Sequence, residues 1–258
     1  CKFLLESGGK KGNGLSPKTV SDVLAIIRNI LKFAIRKGIY VANDANAVQI
    51  RQDIKHMRVL NKVEQSQLCE YILKKPEACS IGILVCMFTG LRIGEICALR
   101  WEDISFSDQS IYIHHTLQRI QMHQGHGAKT EVVVTTPKST CSIRKIPLPD
   151  EILKILVSNK KASSGYVLTN DEYKFIEPRT MQNKFKRILK AAGIENANFH
   201  ALRHTFATRC VELGFDVKSL SEILGHATVN ITMNRYVHPT YEMKKENMQK
   251  LSGLLAVK

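Results

Sequence analysis

One arginine lies where a charged side chain needs a partner. Arg92 stands in the string TGLRIGE, with a glycine on each side and apolar runs beyond them. Burying an unpaired charge costs free energy, so this arginine is expected to contact an opposite charge. Glu95, three residues later, is one candidate partner, and a bound anion is the other. The second alternative would make Arg92 part of an anion-binding site.

A second motif adds phosphate-binding groups and titratable side chains. In the string HALRHT, His200 and Arg203 are three positions apart, so they share one face of the helix that the motif opens. Two donors at a helix N-terminus suit a phosphate group. His226 follows a glycine that ends another helix, and Tyr236 follows it by ten residues. Taken singly, His204, His226 and Tyr236 also fit ordinary structural roles in a core.

The composition is that of a globular protein with a polyanionic partner. The 258 residues carry 38 Lys+Arg against 23 Asp+Glu, a formal net charge of +15, and 44% are hydrophobic. These values exclude collagen, coiled coils and wholly disordered chains. The positive excess points to nucleic acid, although a basic enzyme without such a partner has a similar composition. Seven scattered cysteines without a CxxC pair indicate reduced thiols, and we expect a cytoplasmic protein without a membrane span.

Hydrophobic periodicity predicts a mainly α chain with a small antiparallel β-sheet, the α+β class. Helices are predicted over residues 16–38, 64–74, 79–88, 93–100, 180–192, 200–213 and 217–224, with an amphipathic helix in the tail 241–258. Strands are predicted over residues 110–117, 131–136 and 143–148. Arg28, Lys32 and Arg36 line one face of the first helix, which is either solvated or in contact with phosphates.

A weak hydrophobic pattern before residue 60 suggests a boundary between domains. Asn61 with Glu64 resembles a capping box, so a second domain is expected to start there. We therefore predict a first domain over residues 1–50, a linker over 51–60, a second domain over 61–240 and a tail over 241–258. Because the chain begins with cysteine rather than methionine, we interpret it as a fragment whose natural N-terminus is missing.

The order of the motifs is more informative than any one of them. TGLRIGE, a lysine near a strand, HALRHT, LGH and a tyrosine follow one another as they do in the tyrosine recombinases, the lambda-type phage integrases. Over residues 60–240 the chain is similar to that family, and it most resembles integrases of conjugative transposons. The resemblance implies that residues 1–50 are the C-terminal part of a helical core-binding (SAM-like) domain. Residues 61–240 would then form the catalytic domain.

The resemblance also implies roles for the positively charged and titratable residues. Arg92 and Arg203 would bind the non-bridging oxygens of a DNA phosphate, since a guanidinium keeps its charge and contacts two oxygens at once. His200 and His226 would donate further hydrogen bonds, and either could take the proton of the nucleophile. Glu95 would orient Arg92 without reacting. No metal is expected, because the sequence shows no metal-ligand cluster, and no nucleotide cofactor is expected, because one phosphoester replaces another.

The nucleophile and the general acid follow from the same resemblance. Tyr236 would attack phosphorus to form a 3′-phosphotyrosine, and Lys138 would protonate the departing 5′-oxygen. Lys129 and Lys145 are competing candidates for the lysine, and Tyr241 is the nearby rival for the tyrosine. Four histidines in and after the first predicted strand match no common zinc pattern, so we predict no metal site there. They are His114, His115, His123 and His126.

The implied partners are double-stranded DNA with inverted core-type sites and further copies of the chain. Two protomers would bind each duplex, four would form the synapse that passes through a Holliday junction, and the tail would pack onto a neighbouring protomer. An accessory directionality factor is a further implied partner, and the location would be the bacterial nucleoid. Two alternatives stay open: a type IB topoisomerase acting as a monomer, and a non-catalytic regulator with a helix-turn-helix over residues 217–235. The regulator leaves Arg92, His200 and Arg203 without a purpose.

Overall fold

A computed structural model describes most of the chain in two compact units, Cys1–His56 and Met57–Lys258. The described residues are 1–9, 12–39, 48–51, 57–121, 130–137 and 139–237, with 244–245, 248–249 and 251 in the tail. The SAM-like identity of the first unit and the predicted bounds of the linker and tail stay predictions.

The first unit contains a short helix, α1 (Lys2–Glu6), and a long one, α2 (Pro17–Arg36). The side chain of Ser16 caps α2 by accepting a hydrogen bond from the backbone N–H of Thr19, and Pro17 occupies the first turn. The start of α2 was therefore predictable from its cap. The short helix α1 was not, because five residues carry too little periodicity.

Among the described residues up to 237, the second unit contains eight α-helices and two short 3-10 helices, Trp101–Asp103 and Thr140–Ser142. The α-helices are α3 (Lys62–Lys74), α4 (Ala78–Thr89), α5 (Ile93–Ala98), α6 (Asp150–Asn159), α7 (Pro178–Ala191), α8 (His200–Glu212), α9 (Val217–Leu224) and α10 (Val229–Tyr236). The predicted capping box is confirmed, since Asn61 and Glu64 bond each other's backbone N–H groups at the start of α3. Neither α6 nor α10 was among the helices predicted from periodicity, although the helix-turn-helix of the regulator alternative covers most of α10. The second of these is rich in β-branched residues and asparagine, which have low helix propensity.

The strands form two small antiparallel sheets. They are β1 (Ile104–Ser105), β2 (Ser110–Ile113), β3 (Thr116–Gln121), β4 (Thr130–Thr135) and β5 (Arg144–Pro147). The first sheet has the order β1-β2-β5, and β3 pairs with β4 as a separate two-stranded sheet. The strand predicted over residues 110–117 was wrong as a single element. The ladder changes partner after Ile113, and His114 turns aside to contact Asp103 at 2.7 Å.

The helix α4 is the centre of the core of the second unit. It is apolar on nearly all faces, which is typical of a helix enclosed by others, and it packs against α3, α6, α7 and α8. A smaller apolar cluster joins α8, α9 and α10; its buried members are Ala207, Cys210, Leu220, Leu224 and Tyr236. The predicted class, mainly α with antiparallel strands, is confirmed. In the described part of the chain, no helix combines the length and the apolar character needed to cross a membrane.

Candidate active site

Arg92 lies in the short connection between α4 and α5. Gly90 ends α4 in the left-handed conformation at φ 68°, and a Cβ there would lie 2.6 Å from Cδ1 of Phe206. Glycine meets both requirements. Arg92 then stands at the start of α5, where its Nη1 donates to Oε1 of Glu95 at 2.8 Å and its backbone N–H donates to Oε2 at 2.8 Å. The structure thus gives Arg92 the first of its two expected partners.

Glu95 is the centre of a buried ion cluster. Its side chain is only 3% exposed, and Arg144 contacts both carboxylate oxygens, with Nη1–Oε1 at 3.0 Å and Nη2–Oε2 at 2.9 Å. Burial alone would raise the pKa of Glu95. The hydrogen bonds and charges of Arg144 and Arg92 outweigh that effect and hold the pKa below its usual range. The carboxylate therefore stays ionised and fixes two guanidinium groups.

Three arginines from three different elements converge on the C-terminus of α9. Arg144 Nε donates to the carbonyl oxygen of Ile223 at 2.5 Å, Arg203 Nη2 to that of Leu224 at 2.7 Å, and Arg92 Nη2 to that of Gly225 at 3.1 Å. The last carbonyls of a helix lack partners within it and carry partial negative charge, so cations stabilise them. Arg203 also donates to the carbonyl oxygen of Gly90 at 2.9 Å and is 2% exposed. These hydrogen bonds hold the carbonyls of residues 223–225, the segment directly before His226, in place.

His226 is held between α9 and α10. Gly225 ends α9 in the left-handed conformation at φ 64°, so the chain reverses just before the histidine. The Nδ1 atom of His226 lies 2.7 Å from Oγ1 of Thr232, which is fully buried on α10. The imidazole lies nearly parallel to the ring of Tyr236, with centroids 6.4 Å apart. Thr232 therefore sets the orientation of this histidine.

Tyr236 is the last residue of α10, and its hydroxyl lies against His204. The phenol oxygen is 2.8 Å from Nδ1 of His204, and the two residues are 7% and 8% exposed. The His204 ring in turn packs edge-on against His200, with centroids 4.5 Å apart. Among the described residues, the histidine bonded to the phenol is thus neither of the two that the motifs favoured. The positive charges of Arg203 and Arg235 also act on the phenol of Tyr236.

The site is electropositive, and the pKa values reflect this. Burial first, and then the positive charge of Arg203 and other arginines, lowers the pKa of His200 to about 4 and that of His226 to about 3. Burial and the neighbouring His200 lower the pKa of His204 to about 4. Burial and Arg92 lower the pKa of Arg203 to about 9, so it remains charged at neutral pH. An anion entering the site would relieve this mutual repulsion.

The phenol experiences opposing effects. Burial raises the pKa of Tyr236 above its usual value, while the charges of Arg203 and Arg235 oppose that rise. The free phenol is therefore protonated at neutral pH, and it needs a proton acceptor before it can act as a nucleophile.

The remaining predicted residues fall partly outside the described chain. Lys138, its competitor Lys129 and the rival Tyr241 are not among the described residues. Lys145 is exposed and contacts Asp108 at 2.6 Å. Of the histidine run, His114 and His115 are described and His123 and His126 are not. Within the described ranges, no three His, Cys, Asp or Glu side chains are grouped to hold a metal ion.

Comparison with known proteins gives a consistent result. The model of the "Phage integrase family" matches residues 58–243. The chain is 28% identical to a "Tyrosine recombinase XerC-like" protein of Caldanaerobacter subterraneus subsp. tengcongensis, over 93% of this chain and 67% of that protein. It is 27% identical to the ICEBs1 integrase of Bacillus subtilis, over 98% of this chain and 69% of that protein.

A solved structure shares the fold. The Tn1549 transposon integrase, in complex with transposon right end DNA, matches with a TM-score of 0.75 and 24% identity, over 93% of this chain and 81% of that one. The family match and the relatives define an enzyme of the tyrosine recombinase class, which breaks and rejoins DNA. The chain belongs to the phage integrase family, as the order of its motifs predicted. The predicted likeness to integrases of transposons is also confirmed.

Proposed function

We propose that the chain cuts and rejoins DNA at specific sites through a covalent 3′-phosphotyrosine and a Holliday junction, and so integrates or excises a mobile element. The observation that carries the proposal is the convergence of Arg92, Arg203 and Tyr236 on one electropositive site. Relatives named as integrases, and a fold neighbour solved with transposon DNA, support DNA as the substrate. The net charge of +15 is consistent with a phosphate-rich partner.

Arg92 and Arg203 have more N–H donors than their contacts within the protein use. A guanidinium carries five N–H groups, and the contacts above use two side-chain donors of Arg92 and two of Arg203. The remaining donors would bind the non-bridging oxygens, whose negative charge grows in the transition state. His200 and His226 would add hydrogen bonds to the same oxygens. Because Glu95 and the carbonyls of α9 already hold the guanidinium groups in place, little reorganisation is needed at the moment of reaction.

The reaction would exchange one phosphoester for another. The oxygen of Tyr236 bonds to phosphorus, the bond from phosphorus to the 5′-oxygen breaks, and the leaving oxygen takes a proton from a lysine, for which we propose Lys138. A 5′-hydroxyl then attacks the phosphotyrosine to complete rejoining. Each step conserves the number of phosphoester bonds, so no nucleotide cofactor is required.

The first prediction is that the chain forms a covalent complex with nicked DNA in EDTA. The substrate is a pool of nicked duplexes with a randomised segment beside the nick, so that the released fragment diffuses away and traps the intermediate. Denaturing gel electrophoresis should show a band of protein joined to DNA, and sequencing of that DNA should give one shared site. A complex that forms only with magnesium would contradict the proposed chemistry. Adducts without a shared sequence would favour the topoisomerase, and no adduct at all would favour the regulator.

We further propose that the chain acts as a homo-oligomer on DNA, two copies on a duplex and four in the synapse. An apolar groove of about 540 Å³ lies on the second unit, with only Gln65 and Arg209 as polar residues of its lining. Its apolar walls include Met87, Phe88, Phe206, Leu213, Phe215 and Ile223. The tail contributes Met243, Met248, Leu251, Leu254 and Leu255 among lysines. This tail has the apolar character to fill the groove of a neighbouring copy.

The second prediction concerns this contact. Deleting residues 241–258 should leave binding to a single DNA site within about twofold but reduce assembly of dimers and tetramers on DNA, measured by sedimentation. Phe215→Asp, which places a charge in the exposed groove, should have the same effect with the tail intact. Unchanged assembly in either variant would refute the contact.

We also propose that the chain works with an accessory directionality factor and is located at the bacterial nucleoid.

A further inference from the structure

His204 faces the reacting oxygen of the proposed reaction, although the family resemblance implicates His200 and His226 instead. Its Nδ1 is 2.8 Å from the Tyr236 hydroxyl, and both side chains are buried. The groups that face the imidazole are His200 and Arg203 from α8, and Tyr236 and Arg235 from α10. The contact therefore lies inside the site, at the atom that must lose a proton.

The direction of this hydrogen bond follows from the neighbours of the phenol. Arg203 and Arg235 both place positive charge near the phenol, and neither side chain has an acceptor atom for its hydrogen. The hydrogen of the hydroxyl must therefore be directed elsewhere, and Nδ1 of a neutral imidazole is an acceptor within reach. His204 is neutral because burial and adjacent positive groups lower its pKa to about 4. The phenol thus donates its hydrogen to Nδ1, and the imidazole proton is on Nε2.

We propose that His204 is a catalytic residue that holds the hydroxyl of Tyr236 and accepts its proton as the phenol attacks phosphorus. This inference rests on the proposed function. The Tyr236 O–H bond breaks, its proton moves to Nδ1, and the phenol oxygen forms its bond to phosphorus as the 5′-oxygen leaves. In the rejoining step the proton returns from His204 to the released phenol. The incoming phosphate contributes negative charge beside Arg203 and Arg235, which makes the imidazole a better base than it is in the empty site.

The test separates holding the hydroxyl from accepting its proton. His204→Asn places an amide oxygen near the position of Nδ1, so it can accept the hydrogen bond but cannot take the proton. His204→Ala removes both functions. Each variant is made with tyrosine at position 236 and again with 3,5-difluorotyrosine, whose phenol is more acidic and needs less help from a base. The rate of covalent complex formation is measured in a single turnover with the nicked duplex selected above.

Both variants should form the covalent complex about 10²- to 10⁴-fold more slowly than the unsubstituted chain, the range typical of a lost general base. Difluorotyrosine should restore His204→Asn by tenfold or more. His200→Asn is the matched control: it lies in the same cluster, is proposed to contact phosphate, and should gain nothing from difluorotyrosine. His204→Ala, with tyrosine and with difluorotyrosine, provides the second comparison if His204→Asn fails to fold, as judged by thermal unfolding and DNA binding.

Two results would overturn the inference. A rate for His204→Asn equal to that of the unsubstituted chain would show that the histidine only positions the hydroxyl. A slow rate that difluorotyrosine does not improve, in a folded and DNA-binding variant, would show that proton transfer is not what was lost. Neither result affects the proposed function, which is tested by whether and where the unsubstituted chain forms the covalent complex in EDTA.

Discussion

Tyr236→Phe is expected to abolish the covalent protein–DNA complex while leaving DNA binding intact. The substitution removes one oxygen, which is the proposed nucleophile, and keeps the ring that packs with Ala207, Leu220 and Leu224. The cost to folding should be small, about 1–3 kcal/mol, because only the partner of His204 Nδ1 is lost. Denaturing gels with the nicked duplex measure the adduct, and a native gel with the same duplex measures binding.

Tyr241→Phe is the matched control for this prediction. Tyr241 lies five positions after Tyr236 in the sequence and is the rival nucleophile. The adduct should form at the normal rate in Tyr241→Phe and be below detection in Tyr236→Phe. A covalent complex that persists after the loss of the Tyr236 hydroxyl would refute its role as nucleophile. The reverse pattern would move the nucleophile to Tyr241.

Part of the local structure around the site was predictable, because it follows from local signals. The predicted helix over residues 217–224 matches α9, and that over 200–213 ends one residue beyond α8. Gly225 ends its helix as expected for a glycine in a left-handed cap. Periodicity did not reveal that residues 110–117 form two strands that pair with different neighbours. Residues 110–117 read as one β-branched run, yet β2 pairs with β5 and β3 pairs with β4.

The roles of His204 and Arg144 were not predicted from the sequence, because both depend on tertiary contacts. His204 differs from an ordinary core histidine only through Tyr236, which is 32 positions away in the chain. Arg144 did carry a signal: along β5 it shares the buried face with Ile146, whereas Lys145 and Pro147 face outward. An arginine at an inward position of a strand requires a buried counter-charge. The sequence could not show that this counter-charge is Glu95, 49 positions earlier.

Glu95→Ala is expected to lower the free energy of unfolding by about 3–5 kcal/mol, the cost typical of breaking a buried ion pair from one side. Arg144 would keep its guanidinium buried, with a side chain only 6% exposed and no carboxylate beside it. Arg92 would lose the bond that fixes its Nη1, so covalent complex formation should slow as well. Urea unfolding of the full chain measures the first effect. Since the pKa of Glu95 is lowered on folding, its contribution is present above the ordinary glutamate pKa and is lost as pH falls through the folded value.

The exposed ion pair between Asp108 and Lys145, the neighbour of Arg144 on β5, provides the control for this prediction. Lys145 points outward to Asp108, and both side chains are 57% exposed, so Asp108→Ala should change stability by no more than about 1 kcal/mol. The double variant Glu95→Ala with Arg144→Met should recover part of the loss, because the guanidinium of Arg144 is then no longer buried without its carboxylate. If Glu95→Ala and Asp108→Ala cost the same, the cluster does not anchor Arg92 in the way its geometry indicates. Recovery of stability without recovery of the reaction rate would show that the buried charges serve to hold the arginines rather than to strengthen the fold.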